Sequence, residues 1–127
     1  MVIVTSDPID PSIAYQQIGK GRSGSVVLHY AVVKEDGGGG RPTSCIDYRS
    51  EGDTASELEG IAAELCANWK LEDVLLIRRT GCLSVGDIIS LVASSSPNSS
   101  DAFEACQHGI GRLKKMATIK KNEILAR

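Results

Sequence analysis

Four lysines stand in two pairs, Lys114–Lys115 and Lys120–Lys121, separated by the tetrapeptide "MATI". Amines crowded by other cations have lowered pKa values, and a partly neutral amine can act as nucleophile or base. Protonated, the same amines hold a phosphate as point charges. Lys114 and Lys115 close a predicted helix, where the macrodipole favours cations. Lys120 and Lys121 have no such structural reason. A turn at Ala117–Thr118 would let both pairs face one pocket, and Arg78 and Arg79, at the end of a predicted strand, could add to it. Other reactive side chains are dispersed. His29 lies in a predicted strand and His108 in a predicted helix, with no Ser or Cys nucleophile tied to either, so both read as structural. Cys45, Cys66, Cys82 and Cys106 form no C-x-x-C pair and no zinc spacing. The acids show no calcium-loop spacing. No metal and no cofactor is expected.

The elements that must position these lysines follow from pattern and caps. "VIVT" reads as a first strand. Asp10 as N-cap and Pro11 at the first helical position start a helix over "PSIAYQQ". "SVVLHYAVV" (Ser25 to Val33) is β-prone, and "TSCIDYR" is expected to pair back on it as a long hairpin across the glycine run Gly37–Gly40. That run lacks the Gly-Lys-Ser/Thr signature of a phosphate loop and reads as a mobile connection. Leu58, Ile61, Ala62, Leu65 and Trp69 repeat at helical spacing from Asp53 or Thr54 to about Lys70. "DVLLIRR" and "IISLVAS" read as strands, joined by a turn-containing link at "TGCLSVGD". "SSSPNSS" reads as a soft loop. The last helix is expected to start at Asp101, with Glu104 completing a capping box, and to bury Phe103, Cys106, Ile110 and Leu113. Gly109 and Gly111 inside it call for close packing. "ATIK" reads as a short final strand. The whole is one α+β domain over residues 1–127, with helices on a largely antiparallel sheet.

Composition narrows the function classes. Hydrophobic residues make up 42% of the 127, enough for one core, with no apolar run long enough to span a membrane. "MVIVTSDPID" lacks the basic and apolar regions of a secretory signal. Cys66, Cys82 and Cys106 lie in apolar patterns and read as reduced core thiols of a cytoplasmic protein. From Arg112 onward there are six Lys/Arg and one acid; the rest carries eight basic and fifteen acidic residues. A basic end on an acidic body suits an anionic ligand. Aromatics at 4% argue against base stacking, so no nucleic-acid partner is expected.

"VLLIRRTGCLSVGD", "SSSPNSSDAFEACQHGIGRLKK" and "TIKKNEI" occur in the order and spacing of the large, catalytic subunit of molybdopterin synthase. "VIVTSDPID", "GSVVLHYAVVK" and "IDYR" fit as well, so the chain resembles that family along essentially its whole length. The resemblance implies an α/β hammerhead-type fold and a homodimer. It implies a small ubiquitin-like sulfur carrier whose C-terminal Gly-Gly thiocarboxylate enters a pocket and delivers sulfur to cyclic pyranopterin monophosphate, twice, to build the dithiolene of molybdopterin. The family's two motif lysines fall on Lys114 and Lys121, the first beside the thiocarboxylate and the second on the pterin phosphate. The Glu ending the motif falls on Glu123, and the arginine after the long strand falls on Lys34. Where the family shows His-Arg after the loop proline, this chain has Asn98 and Ser99, which offer hydrogen bonds but no charge. Where it shows Pro-aromatic-Trp before the second lysine, this chain has Thr118, Ile119 and Lys120, the last restoring a charge. Lys34, Asn98, Ser99, Lys120, Glu123 and Arg79 are therefore the expected substrate-binding set around Lys114 and Lys121. The neutral Asn98–Ser99 pair raises a second reading, a non-catalytic homologue that dimerises and binds a carrier or an anionic ligand.

Overall fold

The structure, a computed structural model, describes residues 1–35 and 43–125. The glycine run Gly37–Gly40 lies outside the described residues.

The elements run β1 (Val2–Thr5), α1 (Pro11–Gln17), β2 (Ser25–Val32), β3 (Thr43–Ser50), α2 (Thr54–Asn68), β4 (Asp73–Arg79), β5 (Gly81–Ser84), β6 (Ile88–Ser96), α3 (Ser99–Lys114) and β7 (Ile119–Leu125). They form two sheets. The larger has the order β1-β4-β6-β2, antiparallel except for the parallel β1–β4 pair. The smaller has the order β5-β3-β7 and is antiparallel throughout. The expected α+β class holds.

Strand β4 shows why the larger sheet has helices on both sides. Successive side chains of a strand point to opposite faces. Val74 and Leu76 join Leu58, Ile61 and Leu65 of α2 and Cys106 and Leu113 of α3 in one core cluster. Leu75 and Ile77 join Ala14 and Ile18 around α1 in another. A third, smaller cluster of Val33, Ile46, Tyr48 and Leu83 seats the small sheet.

The expected β2–β3 hairpin does not form. Strand β2 pairs with β6, and β3 pairs with β5 and β7. In β3, Thr43, Ile46 and Tyr48 are buried while Ser44, Arg49 and Ser50 are exposed, so this strand has one covered face and suits a thin outer sheet. Strand β5 lies where a turn-containing link was expected. Its one buried residue, Leu83, gives no alternation to read, and the glycines at 81 and 86 sit at positive φ (+106° and +92°). The final strand extends well beyond "ATIK".

Helix α3 starts earlier than expected. Asn98 is the N-cap, its Oδ1 accepting from the Ser100 N–H at 2.9 Å. The Asp101 carboxylate instead accepts from the Lys70 N–H at 3.3 Å. The buried face is also rotated: Ala102, Ala105, Cys106, Gly109 and Leu113 pack inward, and Phe103 is 63% exposed. Small residues make that face, so the helix lies close on the sheet and a large apolar side chain is left outside. Gly109 shows the closeness: a Cβ there would stand 3.0 Å from Val92 Cγ1 and 3.2 Å from Leu65 Cδ1. Gly111 has open space instead. Gly111→Ala is thus expected to stabilise the fold by about 0.5–1 kcal/mol, through helix propensity and a less flexible unfolded chain, measured by urea denaturation.

The soft loop is not soft. Ser94, Ser95 and Ser96 are the fully buried end of β6. Their hydroxyls donate to the carbonyls of Ala102 at 2.7 Å, Gly19 at 2.5 Å and Lys70 at 2.6 Å. Each serine therefore ties β6 to a different neighbour and satisfies a buried acceptor. The cysteines also depart from expectation. Antiparallel pairing of β3 with β5 brings Cys45 and Cys82 within 5.9 Å (Cα–Cα), and they form a disulfide. Cys66 is exposed. Only Cys106 matches the buried-thiol reading, with burial pushing its pKa up to about 11.

Candidate functional site

Where the C-terminal end of α3 meets the small sheet, a cleft of about 750 Å³ opens. Lys34, just after β2, Lys114, the last residue of α3, and Lys121, in β7, all line it, with Glu123 and Arg78. Three separate elements thus bring three of the expected lysines to one place. Apolar walls come from Val92, Ile110 and Leu113.

The turn after α3 sets this geometry. Glu57, in the first turn of α2, accepts from the Ala117 N–H at 2.7 Å and from the Thr118 N–H and hydroxyl at 2.9 and 2.6 Å. The Glu51 N–H donates to the Thr118 carbonyl at 2.7 Å on the other side. The chain reverses there and enters β7, where Lys121 lies opposite Tyr48 and Lys120 opposite Arg49. Strand alternation then separates the second lysine pair: Lys121 and Glu123 share the cleft face, and Lys120 faces away. Lys115 is likewise outside, as the C-cap of α3. The expected turn at Ala117–Thr118 is present, but it delivers one lysine of each pair.

Partial burial pushes the Glu57 pKa up, but its hydrogen bonds to Thr118 and Ala117 outweigh this and hold it below the ordinary 4.5. A carboxylate with a depressed folded pKa stabilises the protein above its unfolded pKa and loses that contribution as pH falls through the folded value. Stability is therefore expected to fall as pH drops below 4.5, with a smaller acid-induced loss in Glu57→Gln. At pH 7 that variant is expected to be about 1–2 kcal/mol less stable than the parent, since one carboxylate serves three donors. Denaturation curves at several pH values check both.

The remaining candidates lie elsewhere. Arg79 pairs with Asp87 at 3.6 Å, its Nε donating to the Ser6 carbonyl at 3.4 Å, and it does not line the cleft. Neighbouring Arg78 does. It is 6% exposed, its guanidinium 4.6 Å from the Tyr48 ring centroid. Asn98 and Ser99 sit at the other end of α3, about 23 Å from Lys114 by helical rise, and do not line this cleft. His29, expected from the sequence to be structural, lines it, as does Tyr48, which had not stood out. Burial raises the Tyr48 pKa, partly offset by Arg78 and reinforced by Glu123. The Thr43 hydroxyl donates to Glu123 at 2.5 Å. His108 is outside the cleft and bonds Glu64 of α2, which also accepts from Arg112 at 2.8 Å, so both link α3 to α2. No group of three or more metal-ligating side chains occurs among the described residues.

A cleft with three lysines and one carboxylate is built for an anion, and its frame is shared with known proteins. The sequence model of the MoaE protein family matches residues 4–116. The chain belongs to the MoaE family. It is 29% identical over 122 residues to the molybdopterin synthase catalytic subunit of Bacillus subtilis, covering 95% of this chain and 77% of that protein. It is 34% identical over 102 residues to the corresponding subunit of Staphylococcus carnosus, covering 80% and 67%. The crystal structure of molybdopterin synthase from Staphylococcus aureus superposes with a TM-score of 0.89 at 28% identity, covering 97% of this chain and 90% of that one. Lys114 and Lys121, the two lysines singled out in the sequence, both line the cleft.

No helix among the described residues is long and apolar enough to cross a membrane.

Proposed function

We propose that this chain is a molybdopterin synthase catalytic subunit, a sulfurtransferase of molybdenum cofactor biosynthesis. Sulfur passes from the C-terminal thiocarboxylate of a small carrier to cyclic pyranopterin monophosphate, giving molybdopterin. The meeting of Lys34, Lys114 and Lys121 in one cleft supports this reading above all. Lys121 and Lys34 hold the pterin phosphate as point charges. Lys114 stands beside the thiocarboxylate and stabilises negative charge as the carbon–sulfur bond changes hands. Each transfer replaces a carbon–oxygen bond of the pterin side chain with a carbon–sulfur bond, the displaced oxygen leaving as water or on the phosphate. A water molecule then breaks the carrier's carbon–sulfur bond and leaves its end a carboxylate. The partners are a ubiquitin-like carrier ending in Gly-Gly and a second copy of this chain. Asn98 and Ser99, at the far end of α3, take no part in this chain's own cleft. The site of action is the cytoplasm.

The test is conversion of the pterin precursor in vitro with a thiocarboxylated carrier. Molybdopterin formation is the expected result. Absence of product at high protein concentration, with carrier binding intact, would leave the non-catalytic homologue that the neutral Asn98–Ser99 pair suggests.

A further inference from the structure

Arg78 and Arg79 are consecutive in β4, so they point to opposite faces, and their surroundings differ sharply. Arg79 has a carboxylate and a carbonyl as partners. Arg78 is the more buried of the two, yet its Nε has no hydrogen-bond partner, and no carboxylate stands within 4.0 Å of it among the described residues. Glu123, the carboxylate that lines the same cleft, is engaged by the Thr43 hydroxyl. A buried charge without a partner is strongly unfavourable, and chains keep one where something outside the fold completes it. Tyr48 covers one face of the guanidinium as a cation–π contact, which does not engage the in-plane N–H donors, and Nε is without a partner among the described residues. Those donors form a planar fork that matches two oxygens of a phosphate or carboxylate, a geometry that no lysine provides. The apolar walls at Val92, Ile110 and Leu113 lower the local polarity, which strengthens such a pair.

We propose that Arg78 is an oxyanion-binding residue at the floor of the cleft, gripping two oxygens of the pterin phosphate or of the carrier's carboxylate-type end. This rests on the synthase reading for the identity of the two ligands, not for the existence of the anion site. It also gives the chain a buried, forked cation in a site where the arginine expected after β2 is Lys34.

The test uses the full chain and two probes, inorganic phosphate and a synthetic peptide ending in Gly-Gly with a free carboxylate. Binding is followed by calorimetry and ligand-induced thermal shift in the parent, Arg78→Met and Arg78→Lys. Without ligand, Arg78→Met is expected to melt at or above the parent temperature, because an unpaired buried charge is removed and its volume kept. Its affinity for one probe is expected to fall about 10- to 100-fold, the scale of a charge-assisted hydrogen-bond pair. Arg78→Lys is expected to lose most of that affinity despite its charge, and it carries the test if Arg78→Met fails to fold. A loss confined to phosphate assigns the pterin end; a loss confined to the peptide assigns the carrier end. Unchanged affinity for both probes, or a parent protein that binds neither, overturns the proposal. The two readings fail separately. A parent that binds a probe through Arg78 but converts no pterin sinks only the synthase reading. Arg78 variants with parental KM for both substrates sink only this inference.

Discussion

Lys114→Ala is expected to lower molybdopterin formation on the order of 10²–10³-fold at saturating substrates, the usual cost of removing one charge-stabilising donor from a reacting centre. The fold should survive it. Lys114 is exposed, ends its helix, and makes no ion pair among the described residues. Loss of a C-terminal cation from α3 weakens only its interaction with the helix dipole, about 0.3–1 kcal/mol. The control is adjacent: Lys115→Ala removes the same charge from the same helix end but outside the cleft. It should therefore leave turnover within about twofold while costing similar dipole energy. Lys114→Arg separates two roles. Recovery by arginine would assign Lys114 as a fixed charge, and continued inactivity would assign a proton or a nucleophilic amine. Turnover in Lys114→Ala equal to the parent would remove the residue from the mechanism.

The lysine pair also marks how far the sequence could be read. The spacing of Lys114 and Lys121 and the turn between them were legible, because a helix end and a turn are local events. Which lysine of each pair faces the cleft was not. That depends on the parity of β7, set by its register with β3: Lys121 opposite Tyr48, Lys120 opposite Arg49. Arg78 and Arg79 were both visible as strand-end cations, and again only the sheet decides which one points at Tyr48. The same limit explains β3. The segment was legible as a strand, but its partners β5 and β7 are distant in sequence, and the adjacent β2 was the wrong choice. The serine run shows a different limit. Ser94–Ser96 looks like loop by composition, yet each hydroxyl finds a carbonyl on another element, so small polar residues end a buried strand without an unsatisfied group. The capping error has a local cause: Asn98 with Asp101 offers the same three-residue spacing as Asp101 with Glu104, and only the contact from Lys70 distinguishes them.

Leu65→Ala is expected to be the most damaging single truncation for the frame that holds the cleft. Leu65 is fully buried on α2 in the cluster that also contains Val92 and Leu113. Its Cδ1 fills the space in front of Gly109, 3.2 Å from where a Cβ would stand. A glycine has no side chain with which to close the resulting void, and Val92 is held in a central strand, so relaxation around the cavity will be small. The cost is then expected in the range of about 2–5 kcal/mol, a large share of the roughly 5–15 kcal/mol that holds a domain together. Calorimetry should show the melting temperature falling by roughly 10 °C or more. Leu65→Met keeps the volume and should cost less than about 1.5 kcal/mol. A loss below 1 kcal/mol in Leu65→Ala would mean that α3 moves in to fill the gap. That movement would carry Lys114 with it, because the lysine is the last residue of the same helix. Measured well below the melting temperature, turnover distinguishes the cases: a rigid frame keeps its activity at lower stability, and a collapsing one loses activity while it stays folded.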